Sequence, residues 1–124
     1  MAAPNLAGLT TATGKTAYVA LSNTSMTTLL SNGASSGKVL KVNCVIVANV
    51  DGTNSADITL KIFSQDDIGG TGYAIASTIS DPADASLVLL GKDTPIYLEE
   101  DRSLGVQASA ANDIDVVVSY EELS

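Results

Sequence analysis

The side chains in this sequence that could carry chemistry are carboxylates, because histidine and tryptophan are both absent. Without histidine, Ser-His-Asp and Cys-His nucleophile systems and His-ligated metals are excluded. The acidic residues stand in four groups, which are Asp66 with Asp67, residues 99–101, Asp113 with Asp115, and Glu121 with Glu122.

These groups do not have the setting that carboxylate catalysis needs. A glycosidase-like pair requires one carboxyl in an apolar cleft, usually beside aromatic sugar platforms. Only 4% of the residues are aromatic, and most of the acidic groups fall in predicted turns or at strand ends. We therefore predict that the protein is not an enzyme and that these charges are solvated.

Metal and thiol chemistry have little support in the sequence. The turns at Asp66 and Asp67 and at residues 99–101 are rich in oxygen ligands, but neither has the EF-hand spacing, so calcium binding there stays open. We assign no cofactor and no metal ligand. The single cysteine, Cys44, lies in an alternating apolar segment and is predicted to be a buried small hydrophobic residue.

The charge balance excludes several classes of partner. The chain carries 14 acidic and 6 basic residues, a net charge of −8, and its bases are scattered rather than clustered. Nucleic acid is therefore not an expected partner, since phosphate binding needs a local excess of Lys and Arg. No apolar stretch approaches the ~20 residues of a membrane span, and the N-terminus lacks a secretory signal, so we expect no membrane partner and synthesis in the cytosol.

The pattern of apolar residues predicts an all-β protein. Residues 1–14 are small and polar and are predicted to form an extended arm, whereas residues 15–124 alternate with a period of two and are predicted to form one domain. About eight or nine short strands without a helix indicate an antiparallel β-sandwich, either jelly-roll or Ig-like. The predicted strands are residues 15–21, 26–30, 38–50, 58–62, 73–79, 86–90, 94–99, 104–108 and 114–120.

The segment 38–50 has the strongest alternation. Its even-numbered residues from Leu40 to Val50 are predicted to face the core, and its odd-numbered residues to face the other way. The turn that begins at Asp51 and Gly52 predicts a hairpin with residues 58–62, and a second hairpin is predicted around Asn112.

Apolar residues exceed what one core face needs. The strand 86–90 is apolar on both faces over its last four residues, and Val117 interrupts an outward polar series. These residues pack either beneath the second sheet or a loop, or in a contact with another subunit, since soluble monomers seldom expose such patches. The candidate interface consists of Val39, Val45, Val47, Leu87, Val88, Leu89, Leu90 and Val117.

Two parts of the sequence resemble a known group of proteins. Residues 95–104 and 106–122, together with the segments 42–53 and 58–62, resemble small virion structural proteins of tailed bacteriophages, most closely those of cyanobacterial and other marine phages. The resemblance covers roughly residues 15 to 122 and rests on strand and turn segments, so it implies no catalytic residues.

The resemblance implies a capsid decoration, or cement, protein. Such a protein would bind the major capsid protein on the outside of the expanded shell, as a dimer or trimer, in the virion. Two alternatives remain at this stage: a neck, tail or baseplate protein of the same virion, and a receptor- or carbohydrate-binding module. The scarcity of aromatic residues counts against the last.

Overall fold

The fold is described here from a computed structural model, which describes residues 5–124. A short 3-10 helix at Leu6–Gly8 precedes the first strand. Nine strands follow in the described residues: β1 Ala12–Leu21, β2 Thr27–Asn32, β3 Val39–Asn49, β4 Ala56–Phe63, β5 Gly72–Asp81, β6 Ser86–Leu90, β7 Ile96–Leu98, β8 Arg102–Ala108 and β9 Ile114–Leu123. The predicted all-β class is confirmed.

The strands form two antiparallel sheets. Sheet A has the order β1-β9-β3-β6, with β7 also paired to β3, and sheet B has the order β2-β8-β4-β5. The pairs β1/β9 and β3/β6 thus lie in one sheet, while β2/β8 and β4/β5 lie in the other. In a jelly roll, an antiparallel ribbon is wrapped so that its strand pairs alternate between the two sheets. The observed strand order is therefore that of a jelly roll and not of an Ig-like sandwich.

The core lies between the sheets and is built from aliphatic side chains. β9 shows the cleanest alternation, with Val116 and Val118 fully buried, and Leu104 and Val106 of β8 are fully buried as well. Side chains opposite one another on paired strands point to the same face, so these residues form continuous layers across each sheet.

A β-bulge in β3 reverses its alternation. Val42 is opposite Tyr120 of β9 and Cys44 is opposite Ser119, so Asn43 is an extra residue on β3. An extra residue moves every following side chain to the other face. Leu40 and Val42 therefore face the core as predicted, but beyond the bulge the buried residues are Val45 and Val47.

The predicted inward positions after the bulge are consequently wrong. Ile46 is 36% exposed and Val50 is 53% exposed. Cys44 is half-buried on the outward side, so the prediction of a buried cysteine is not met.

Both predicted hairpins are wrong. β3 and β4 lie in different sheets, as do β8 and β9, so the turns near Asp51 and Asn112 connect the two layers of the sandwich. The alternation and the turn signals are the same in a hairpin and in a sheet-to-sheet connection, and only the pairing distinguishes them. Consecutive strands pair with each other at β4 and β5.

The first strand begins inside the segment that was expected to be an arm. Ala12 is opposite Leu123 at the end of β9, and the amides of Thr10 and Thr11 both donate to the carbonyl of Ser124 at 2.9 Å. Residues 10–14 therefore belong to the edge of sheet A. The first four residues of the expected arm lie outside the described residues.

Candidate functional site

Two of the acidic turns meet at one end of the sandwich. The amide of Asp66 donates to Oδ1 of Asp101 at 3.1 Å, and Arg102 forms an ion pair with Glu99 at 3.1 Å. The carboxylates here bind backbone amides and a guanidinium rather than one another. In residues 5–124 no group of three or more acidic or thiol side chains is placed to hold a metal ion.

The acidic pair near the end of β9 is held in ion pairs. Glu121 pairs with Lys41 at 3.8 Å, and Glu122 lies between Lys15 and Lys38. Hydrogen bonds from the two lysines hold the pKa of Glu122 below its ordinary value of 4.5. Glu122 is therefore ionised at neutral pH, which suits an ion pair rather than a general acid.

The outer face of sheet B is polar and partly covered. A shallow groove on it has no aromatic side chain in its lining, so it offers no platform for a sugar ring. The residues that line this groove are Thr24, Asp57, Thr59, Thr78, Gln107, Ala108 and Ser109.

A loop between β4 and β5 folds over the same face. Three consecutive amides fix it: Asp66 donates to Asp101, Asp67 donates to Ser31 Oγ at 2.9 Å, and Ile68 donates to Ser103 Oγ at 2.8 Å. The backbone at Ile68 has φ +54°, a left-handed conformation that is rare for a β-branched residue and is held here by these bonds.

Gly105 shows how tightly this loop packs on β8. A Cβ atom at Gly105 would lie 2.8 Å from Phe63 and 2.9 Å from both Ile68 and Met26. These three apolar side chains are half-buried, so they cover the strand and one another. At this end the outer face of sheet B is closed.

The outer face of sheet A carries an exposed apolar row. Tyr18 of β1 is opposite Val117 of β9, Val117 is opposite Ile46 of β3, and Ile46 is opposite Val88 of β6. Their exposed fractions are 80%, 38%, 36% and 64% in that order. Because adjacent strands lie about 4.8 Å apart, the row runs about 14 Å across all four strands.

Small or neutral residues flank this apolar row. On one side Ala20, Asp115, Ala48 and Ser86 are aligned by the strand register, and on the other side Thr16, Ser119 and Cys44 are aligned. Asp115 is the one charged residue among these seven. The row therefore stands on a flat, nearly uncharged surface of a protein whose net charge is −8.

The structure divides the candidate interface residues into three groups. Val39, Val45, Val47 and Leu90 are at most 5% exposed, so they are buried and cannot offer a contact surface in this fold. Leu87 and Leu89 are half-buried. Val88 and Val117 are exposed and belong to the apolar row.

The sequence prediction omitted Tyr18 and Ile46 from this surface. Tyr18 was detectable, because it stands on the outward side of the alternating segment that contains Ala17 and Val19. Ile46 was not detectable from its period, since the bulge at Asn43 exchanges the two faces of β3.

Comparison with known proteins finds similar folds but no match by sequence. No protein-family model matches the chain, and no curated protein is similar to it in sequence. A chain of the disulfide-linked pili that form Bacillus endospore appendages has a TM-score of 0.51 at 10% identity, over 98% of this chain and 95% of that one.

A second similar fold occurs in a larger viral protein. A chain of the T13 IBDV viral particle has a TM-score of 0.50 at 11% identity, over 90% of this chain. The match spans 31% of that chain, so this protein corresponds to one part of it. The chain described here therefore has a sandwich fold that is also present in a pilus and in a viral particle.

In the described residues no helix has the length and apolar character needed to cross a membrane.

Proposed function

We propose that this protein is a non-enzymatic structural component of a tailed-phage virion, a capsid decoration protein that binds the outer surface of the expanded shell. The observation that supports it most directly is the apolar row Tyr18–Val117–Ile46–Val88, which crosses a whole sheet and stands exposed. Large exposed apolar side chains in a continuous row indicate a surface that another protein covers. The proposed partner is the major capsid protein.

The chemistry of this surface suits a protein partner. Burying apolar area stabilises an association by roughly 25 cal/mol per Å² before the costs of association are subtracted. The row contains no charged group that would have to lose its water, and Asp115 lies beside it rather than in it. The acidic side chains elsewhere keep the unbound protein soluble.

A decoration role also fits a modest contact area. A protein that binds only the expanded lattice stabilises that lattice by mass action. Since the contact repeats at every lattice position, a small interface per copy is sufficient. The resemblance of roughly residues 15 to 122 to phage virion proteins is the reason for proposing a phage virion, and we expect the protein there after synthesis in the host cytoplasm.

The proposal is tested with expanded shells of the phage that carries the gene, prepared without this protein. The purified protein is added, its binding is measured by co-sedimentation, and the particles are imaged by electron cryomicroscopy. We expect ordered density across the outer lattice. A ring at one vertex would instead indicate a neck or tail protein, and a shell without ordered density would reject the virion role.

A matched pair of variants tests the surface. We expect Val88→Asp to weaken shell binding at least about tenfold, because it places a charge in the apolar row on an edge strand. Ala74→Asp adds the same charge at an exposed position of β5, opposite Lys61 on sheet B, and should bind as the unmodified protein does. Equal binding by both variants would show that the row is not the docking surface.

A further inference from the structure

Within residues 5–124, Asp81 is a buried carboxyl group without a hydrogen-bond partner. The residue is 0% exposed, and neither of its side-chain oxygens contacts a donor in that part of the chain. It ends β5 opposite Ala56 of β4, whose side chain faces the core, so the carboxyl of Asp81 also points inward. A buried carboxylate without donors is much less stable than the neutral acid.

Two loops hold Asp81 in this position. The side-chain amide of Asn49 donates to the carbonyls of both Asp81 and Asn54, at 2.9 Å each. The carbonyl of Asp51 accepts from the amide of Asp84 at 3.1 Å. The loop after β3 and the loop after β5 are thus tied together at Asp81, whose chain neighbours Ser80 and Pro82 are both exposed.

The charged groups at this end of the sandwich are all acidic. They are Asp57 on β4, Asp51 in the loop after β3, Asp84 in the loop after β5, and Asp113 and Asp115 around the start of β9. Segments 49–57, 80–86 and 108–115 contain neither Lys nor Arg. No cation on these elements compensates a charge on Asp81.

We propose that Asp81 is an uncharged carboxylic acid in the folded protein, and that its ionisation loosens the two loops that are tied together there. The carboxyl then acts as a proton-dependent latch on the loop end of the sandwich, independently of the proposed docking to a shell. Consistent with this, burial raises the pKa of Asp81 above its ordinary value of 3.8.

The sign of the effect on stability follows from linkage. The folded protein holds the Asp81 proton more tightly than the unfolded chain does, so the stabilising contribution is complete below about pH 3.8. It is lost as the pH rises towards the folded pKa. In that window the unfolding constant increases by up to about tenfold per pH unit, and above the folded pKa it no longer changes.

The first experiment measures the proton itself. The carboxyl carbon of Asp81 is titrated by NMR in the full unmodified chain. We expect a midpoint above the ordinary value of 3.8. A midpoint at or below that value would overturn the proposal, and this measurement requires no variant to fold.

The second experiment measures the latch. Urea unfolding of the unmodified protein is compared with that of D81N at each pH, and the ratio of the unfolding constants should rise with pH as described. D84N alters an exposed carboxylate of the same loop and serves as the control, with no change in slope expected. A ratio for D81N that is independent of pH would contradict the proposed titration.

Hydrogen exchange tests the loosening directly. The amides of Asn49 and Asp84 donate across the two loops, to Ala85 and Asp51 respectively. Relative to D81N at the same pH, both amides should exchange faster in the unmodified protein once Asp81 is ionised, and equally fast below its titration. Equal exchange at every pH would rule out the latch.

Discussion

The two outer faces of this sandwich are built on the same scaffold and have opposite characters. The outer face of sheet B is closed at one end by its own chain, since the loop after β4 is bonded to Ser31, Ser103 and Asp101 and packs on Gly105. Sheet A presents the row from Tyr18 to Val88, and no loop of residues 5–124 lies over it. The groove on the outer face of sheet B is lined mainly by polar residues, whereas the outer face of sheet A carries the apolar row.

This difference indicates which face is available for association. A jelly roll needs one buried face per sheet, and the second face of each sheet is free to diverge. Here the bulge at Asn43 brings Ile46 outward and completes the apolar row, because without it Ile46 would share a face with Val42. The one extra residue in β3 therefore determines both which side chains enter the core and which side chains form the candidate surface.

The largest expected effect on stability tests which residues of β3 face the core after the bulge. Val45→Asp should destabilise the fold by more than about 4 kcal/mol, because it buries an unpaired charge at a position that is 0% exposed. Ile46→Asp, one residue away, should cost about 1 kcal/mol, since its side chain faces outward. Urea unfolding of both variants measures the difference. The opposite order would mean that the bulge is absent and that the two faces are exchanged.

A smaller effect on stability is expected from replacing one glycine in each sheet, Gly105 in sheet B and Gly14 in sheet A. Gly105→Ala should cost about 1–3 kcal/mol, because the added methyl group overlaps Phe63, Ile68 and Met26. Gly14→Ala on β1 has no atom within 4 Å of the new methyl group and should stabilise the protein by about 0.5 kcal/mol. Thermal unfolding of the two variants is the measurement, and equal shifts would contradict the closed packing of sheet B.

The smallest expected effect concerns the ion pairs of Glu122 at one end of sheet A. Glu122 of β9 pairs with Lys15 of β1 and with Lys38, and its pKa is lowered by both. Its contribution to stability is therefore present above about pH 4.5 and is lost as the pH falls through the folded pKa. We expect E122Q to flatten this acid limb slightly, with less effect at high salt.

Chemical unfolding between about pH 7 and about pH 3 measures the Glu122 contribution. E121Q removes the carboxylate from the longer 3.8 Å contact with Lys41 and is the matched control. If the acid limb were unchanged in E122Q but reduced in E121Q, the prediction would be wrong. The contribution to stability would then come from the contact between Glu121 and Lys41.

The sequence was sufficient for the elements and insufficient for their pairing. Alternation located all nine strands of the described residues, because a strand with one buried face must repeat with a period of two. The predicted inward residues of β4, β8 and β9, such as Ile58, Leu104 and Val116, are buried. Strand order was not predictable, since it depends on contacts between residues distant in the chain.

The candidate surface was predictable only in part, for a local reason. Val88 was visible in the sequence because its strand is apolar on both faces, and Val117 because it interrupts an outward polar series. Val45 and Val47 were assigned to the same surface because Asn43 gives no signal of a bulge in the sequence. Gly would have marked one, but an Asn in a strand has no such association.

The position of β9 has a consequence for how the chain reaches its fold. β9 lies between β1 and β3, so sheet A cannot form until Ile114–Leu123 has left the ribosome. The pairs it makes join residues more than 60 positions apart, such as Val45 with Val118 and Tyr18 with Val117. Such non-local pairing is slow, with folding times of milliseconds to seconds. β3 can pair with β6 and β7 before β9 is made, whereas β1 must wait for β9, its partner in the described residues. We therefore expect sheet A to be completed late, after β9 emerges.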